Sequence, residues 1–142
     1  MLKRNLLALL SLVVFLTGCP SIQLSYYDTT TYQNLTDLKV DTTLLVQSFD
    51  TIKTKNNENR IETVLVNFKK AYEYEKGKGE PNSETMKQFN VILRLFENDI
   101  KEYREAGPGG LGRKYFQEAA IVLGQAFDIV IRTENLKNRG KP

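Results

Sequence analysis

The 142-residue chain is short enough to form one domain, and its 41% hydrophobic and 26% charged residues are typical of a folded globular protein. It has 20 basic and 17 acidic residues; without Lys3 and Arg4, which belong to an N-terminal export pattern, 18 basic residues face the 17 acidic ones. This near-neutral balance argues against nucleic acid as a partner. The absence of histidine excludes His-dependent nucleophile–base pairs and His ligands to zinc, haem or di-iron centres, and the single cysteine excludes an intrachain disulfide.

The N-terminal residues show the three parts of a secretory signal. Lys3 and Arg4 form a basic start, the apolar run LLALLSLVVFL covers residues 6–16, and small residues precede Cys19. The run is too short to span a bilayer, which takes about 20 apolar residues in a helix. The sequence therefore predicts a removable signal peptide over residues 1–18.

The end of this signal, Leu16-Thr17-Gly18-Cys19, resembles the lipobox of bacterial lipoproteins. The resemblance implies that the Cys19 sulfur receives a diacylglyceryl group, that the chain is cut between Gly18 and Cys19, and that the lipid holds the protein on a membrane of the cell envelope. Pro rather than Asp at position 20 favours the outer membrane, with the protein facing the periplasm. The alternative is an unmodified Cys19 behind an uncleaved signal anchor. Residues 20–142 show no family signature.

The rest of the chain predicts an all-α fold, an up-down antiparallel four-helix bundle. Residues 19–30 form the lipidated cysteine and a short tether, residues 31–138 the bundle, and residues 139–142 a frayed C-terminus. Apolar residues at alternating spacings of three and four predict four helices of about 20–25 residues, and their short connections place neighbours antiparallel. Asn56 and Asn57 offer an N-cap for the second helix. The expected core includes Leu38, Leu45, Phe49, Leu65, Phe68, Phe89, Leu93, Phe96, Leu123 and Phe127.

Two kinds of polar group lie close to this core pattern. Thr42 is the one polar residue among the seam positions of the first helix; it could line a ligand cavity, or its hydroxyl could bond to a carbonyl of the preceding turn. Tyr72, Tyr103 and Tyr115 fall near helix ends, where a buried ring can keep its hydroxyl in water.

The fourth helix is apolar on most sides. Between Ala119 and Ile131, only Gly124, Gln125 and Asp128 are polar or lack a side chain. Such a helix is usually covered on most sides. If Ile121 remains exposed together with Val122 or Ile129, we expect a protein contact at that surface.

No catalytic, cofactor or metal site is predicted, and the chain is not expected to be an enzyme. The glycine-rich residues 107–114 partly match two phosphate-binding patterns, but both need a preceding strand and here a helix precedes them, so they predict an interhelical loop. The carboxylate pairs Glu97/Asp99 and Glu58/Glu62 are expected on solvated faces. Two functions remain: interaction with another envelope protein or structural support, or binding of an apolar or amphipathic small molecule in an internal cavity.

The tether end of the predicted bundle is rich in cations. The start of the first helix meets the ends of the second and fourth helices there, which bring together Lys76, Lys78, Lys137, Arg139 and Lys141, opposed in part by Glu75 and Glu80. Cations at helix C-termini are stabilised by the helix dipole, which is the simpler explanation. Anionic lipid headgroups offer a second explanation, in which this end holds the bundle upright on the membrane.

Overall fold

The structure, a computed structural model, describes residues 25–112 and 114–137. In these ranges the chain forms helices and no strand, which confirms the all-α prediction. The predicted lipidation and cleavage residues Gly18 and Cys19, and the C-terminal residues 139–142, lie outside the described ranges. The helices are α1 Thr29–Ser48, α2 Thr54–Lys76, α3 Ser83–Ala106 and α4 Tyr115–Leu136, with a single 3-10 turn at Glu80–Asn82.

The helices form an up-down ring. Each packs against the next along the chain, and α4 closes the ring against α1. Phe49, directly after α1, lies against Phe116 at the start of α4 with ring centroids 5.4 Å apart, so these two helices are antiparallel. Gln88 near the start of α3 donates to the Thr133 hydroxyl near the end of α4 at 3.1 Å, so α3 and α4 are antiparallel as well. The predicted four-helix bundle is confirmed.

The bundle interior is aromatic at its centre. The Phe68 ring lies 5.8 Å from Phe96, 5.9 Å from Phe127 and 6.5 Å from Phe89. Eight of the ten predicted core residues are buried, whereas Leu65 and Leu93 are only partly buried, on the side where α2 meets α3. A helical period identifies the apolar face of a helix, but the contacts with neighbours decide how much of each edge of that face is covered.

The caps of α1 and α2 differ from the prediction. The Asp28 carboxylate accepts the N–H of Thr30 at 2.8 Å, so α1 begins at Thr29, two residues before the predicted start. The prediction of an Asn cap for α2 is wrong, because that helix already begins at Thr54 and Lys53 precedes it without a side-chain capping bond. Asn57 is instead buried in the first turns of α2.

The glycine-rich connection is a loop, as predicted. It follows directly on α3, where Gly107 and Gly109 adopt positive φ angles of 71° and 68°. This left-handed backbone ends the helix at little cost only where no Cβ is present.

Candidate functional site: an exposed helix face and a buried polar junction

The outer face of α4 carries more apolar surface than the bundle covers. Ile121, Val122 and Ile129 are 58%, 50% and 60% exposed, although Leu123 and Phe127 on the opposite side are fully buried. The condition for an expected protein contact, Ile121 exposed together with Val122 or Ile129, is therefore met.

Four exposed apolar residues lie in one line along α4. They are spaced seven residues apart, which places them on nearly the same side of the helix, and their exposure rises from 40% at the first to 77% at the last. We call this set the α4 stripe: Tyr115, Val122, Ile129 and Leu136. Glu118, Gln125 and Arg132, also seven apart and exposed, run beside it. The seven-residue spacing is visible in the sequence, but the position of Tyr115 near a helix end predicts a buried ring, and its 40% exposure corrects that expectation.

A cleft of about 260 Å³ lies next to the stripe, between α3 and α4. Asp99 of α3 lines it and is half-buried, which corrects the prediction that this carboxylate is fully solvated. Burial raises the pKa of Asp99 to about 6, and the nearby negative charge of Glu102 adds to the shift. Tyr115 lines the same cleft, and burial also raises the pKa of its hydroxyl.

A second, more apolar groove of about 460 Å³ runs between α2 and α3. The partly buried Leu65 and Leu93 form its walls, and it is open along the bundle surface rather than enclosed. Its lining residues are Leu65, Phe68, Lys69, Tyr72, Phe89, Asn90, Leu93 and Glu97.

At the tether end, polar residues from α1, α2 and α4 and from the segments next to them form a buried cluster, which we call the polar junction. Its members are Asp28, Thr31, Glu75, Lys78, Asn82, Glu134 and Lys137. Glu75 and Glu134 are fully buried and Lys137 is 5% exposed. Buried charges are tolerated only when they are paired and hydrogen-bonded, so the contacts of the junction determine whether this end of the bundle is stable.

One half of the junction centres on Lys78. Its Nζ lies 2.9 Å from Asp28 and 3.2 Å from Glu75, and it also donates to the Thr31 hydroxyl. Thr31 in turn donates to Glu75 at 2.5 Å. Burial alone would raise the pKa of Asp28, but hydrogen bonds from Tyr74, Lys78 and the Thr30 N–H outweigh it and lower that pKa to about 2.

The other half centres on Glu134. One of its oxygens accepts the backbone N–H of Asp28 at 2.7 Å, and the other lies 2.6 Å from the Nζ of Lys137. Lys137 also donates to the side-chain oxygen of Asn82 at 2.8 Å, and Asn82 donates to Glu75 at 2.8 Å. The two halves are therefore one connected network.

These contacts change the interpretation of the basic end. Lys78 and Lys137 are held in ion pairs inside the junction, so neither presents a free charge to a membrane, while Lys76 is exposed with Glu73 3.9 Å away. Arg139 and Lys141 lie outside the described residues. Two of the cations predicted to hold the bundle upright on a membrane, Lys78 and Lys137, are therefore not available for that role.

The last residues of the predicted tether also belong to the bundle. The Ser25 N–H donates to the carbonyl of Pro81 at 3.1 Å, and the Ser25 hydroxyl donates to Asn82 at the same distance. The chain is therefore attached to the connection between α2 and α3 three residues before Asp28 caps α1.

The far end of the bundle contains a second polar network, centred on Tyr103 and Asn57. The Tyr103 hydroxyl donates to the Ile52 carbonyl at 2.6 Å and accepts from Asn57 at 3.1 Å, and the ring stacks on Phe49 at 4.0 Å. The expectation of a hydroxyl in water is wrong for Tyr103, because this residue is fully buried.

Thr42 is fully buried, and its hydroxyl has no hydrogen-bond partner among the described residues. The expected bond to the preceding turn is thus not formed, and no lining of either groove includes Thr42. A buried hydroxyl in this state costs stability.

Within residues 25–112 and 114–137, no three acidic, cysteine or histidine side chains are grouped so that they could hold a metal ion. None of the described helices has the length and apolar character needed to cross a membrane. No family model matches the chain, and neither a curated protein nor a solved structure matches it significantly.

Proposed function

We propose that this chain is a lipid-anchored lipoprotein of the bacterial cell envelope, held on the outer membrane and facing the periplasm, whose bundle is a non-catalytic protein-interaction domain. The export pattern of residues 1–18 and the lipobox-like ending at Cys19 support the anchor. The α4 stripe is the observation that supports the interaction role.

The α4 stripe differs from ordinary surface apolar residues in its extent. Single exposed apolar side chains are common and need no explanation. Val40 and Leu44 on α1, 54% and 56% exposed, form only a short pair of this kind. The stripe runs the whole length of α4 and has Ile121 beside it, which is the pattern of a helix that packs against a partner along its axis.

Co-purification from crosslinked envelopes tests this proposal. The double variant Val122→Glu/Ile129→Glu places two charges on the stripe and should abolish recovery of the crosslinked partner, while its helical spectrum and unfolding midpoint stay close to those of the wild type. Ile121→Glu probes the adjacent side of the same face and should weaken recovery as well.

The matched control is Val40→Glu/Leu44→Glu, because these two residues are exposed to a similar degree on another helix. Recovery should be unchanged in this control. Equal loss in both double variants, or no loss in either, would contradict a docking role for α4.

The groove between α2 and α3 supports a second candidate function, the binding of a small apolar or amphipathic molecule. Its volume of about 460 Å³ falls within the range of ligand pockets, and its walls are mainly apolar. A fluorescent fatty acid added to the detergent-solubilised lipoprotein should bind, and Leu93→Trp, which fills the groove, should abolish binding. Val91→Trp on the exposed outer face of α3 is the control. Equal binding by both variants would exclude the groove.

A further inference from the structure

We infer that the α4 stripe binds a second copy of this chain, with the two α4 helices packed antiparallel. This inference rests on the proposed function, since it names the partner of the same surface. The stripe and the charges beside it carry the inference, because Glu118 and Arg132 of two copies can pair only when the two α4 helices are antiparallel.

The apolar residues match each other across a two-fold axis. If the axis passes between Gln125 and Ala126, Val122 of one copy faces Ile129 of the other at the centre. Tyr115 then faces Leu136 at each end. Every residue of the stripe therefore meets an apolar residue of the second copy, as an isologous interface requires.

The charges beside the stripe favour the same arrangement. Glu118 and Arg132 lie at nearly equal distances on either side of the axis, so each copy's Glu118 faces the other copy's Arg132. Both side chains are exposed, and neither has an ion-pair partner among the described residues. In a parallel pair, Glu118 of one copy and Arg132 of the other would be separated by about 21 Å along the helices, so these opposite charges would not meet. Charges of this kind determine orientation more than affinity.

The size of the surface predicts a weak dimer that the membrane strengthens. One exposed helix face buries an area at the low end for specific complexes, below about 1,200 Å² in total. A lipid anchor confines both copies to one surface and raises their effective concentration, so a weak contact suffices there.

The arrangement also determines how the pair lies on its membrane. An antiparallel pair places the two polar junctions at opposite ends of α4, which is about 33 Å long. Six residue steps from Cys19 to Ser25 reach roughly 20 Å when extended. Both anchors therefore reach one bilayer when the α4 helices lie along the membrane surface, and not when the bundles stand upright.

Disulfide trapping in intact cells tests the inference on the full-length lipoprotein. Cys19 is the only native cysteine and is lipidated under the proposed function, so Gln125→Cys adds the only free thiol. Close to the two-fold axis, this thiol should form a homodimer of twice the monomer mass. Asn59→Cys, on an exposed part of α2, should stay monomeric.

Charge reversal provides the second measurement, on the Gln125→Cys background. Glu118→Arg and Arg132→Glu should each lower the homodimer yield several-fold, and the double variant should restore it. Restoration is expected only if the two residues face each other.

Three results would overturn the inference. The Gln125→Cys variant could form no disulfide-linked product, its homodimer yield could be the same with and without the charge reversals, or its thiol could form a disulfide with a different protein. The last would leave the proposed function standing with another partner. If Val122→Glu/Ile129→Glu also changes no association of any kind, the proposed function fails as well.

Discussion

The backbone N–H of Asp28 donates to Oε1 of Glu134 at 2.7 Å, across 106 positions of the chain. Asp28 caps the first helix and Glu134 lies in the last turns of α4, so this bond joins the first and last described helices. Glu134 is fully buried and also forms an ion pair with Lys137, so the contact between α1 and α4 depends on a buried charged pair. It lies at the end of the bundle from which the proposed lipid anchor extends.

Replacing Glu134 should therefore be costly. Glu134→Ala leaves the buried Lys137 ammonium without its carboxylate and the Asp28 N–H without an acceptor. We expect a loss of about 3–5 kcal/mol in the free energy of unfolding, the usual cost of breaking a buried pair by removing one partner. Urea unfolding followed by circular dichroism measures it.

The control is Glu73→Ala, which removes the exposed partner of Lys76 and should cost only about 0–1 kcal/mol. Equal losses in the two variants would show that the junction contributes no more than a surface ion pair.

The half-buried Asp99 should make stability depend on pH. Its pKa of about 6 in the fold lies above the ordinary 3.8, so the folded chain binds the proton more tightly than the unfolded chain does. Stability should thus fall as the pH rises from about 4 to about 6, and remain lower above that range. Asp99→Asn should remove this fall and be more stable at pH 7 by on the order of 1 kcal/mol, a figure reduced because solvent screens a half-buried group.

Unfolding midpoints of wild type and Asp99→Asn at pH 4 and pH 7 check this prediction. The gain should be present at pH 7 and absent at pH 4. A gain of the same size at both values would mean that the amide acts through something other than the carboxylate charge.

Thr42→Val should stabilise the bundle. The hydroxyl is fully buried and makes no hydrogen bond to a described residue, whereas valine has nearly the same shape and no polar group to desolvate. We expect a gain of about 1 kcal/mol in the free energy of unfolding. Thr42→Ala, which lacks both the hydroxyl and the methyl, should instead lose stability. A destabilised Thr42→Val would indicate that a bound water satisfies the hydroxyl.

Phe96 and Leu93 should differ in their response to alanine, although the sequence places both in the core. Phe96 is fully buried against Phe68, so Phe96→Ala should cost about 3–5 kcal/mol. Leu93 lies in the open groove, so Leu93→Ala should cost less than the 2 kcal/mol or so at the lower end for buried leucines. Urea unfolding compares the two variants, and equal costs would contradict the difference in burial between Phe96 and Leu93.

Lipidation of Cys19 is the prediction on which the proposed location depends. Cys19→Ser removes the sulfur that would carry the lipid, so the variant should accumulate as an unprocessed precursor and incorporate no labelled fatty acid. Pro20→Ser, which leaves the cysteine intact, should still be labelled. Normal processing and labelling of Cys19→Ser would rule out the lipoprotein assignment.

Periodic apolar residues were sufficient to predict four helices, their approximate lengths and most of the core. Phe68, Phe96 and Phe127 are buried as predicted because each lies near the centre of its helix's apolar face. Leu65 and Leu93 were not, because they lie toward the edge of that face, where cover depends on how far apart α2 and α3 lie. The incorrect Asn cap has a related cause: Asn57 suits a helix start, but its side chain donates to the buried Tyr103 hydroxyl, 46 positions away in the sequence.

The local properties of this protein can be predicted from the sequence alone: an export pattern ending at Cys19, helices where the apolar period is 3.6, and breaks where glycine and proline interrupt it. Which polar residues are buried depends instead on how the helices pack. Glu75, Glu134 and Lys137 look like ordinary surface charges along the chain, and they are buried because three helix ends meet there. The packing also leaves one side of α4 uncovered, because a helix in a four-membered ring packs against two neighbours and keeps its outer face exposed. Both outcomes depend on contacts between residues distant in sequence, which no local pattern contains.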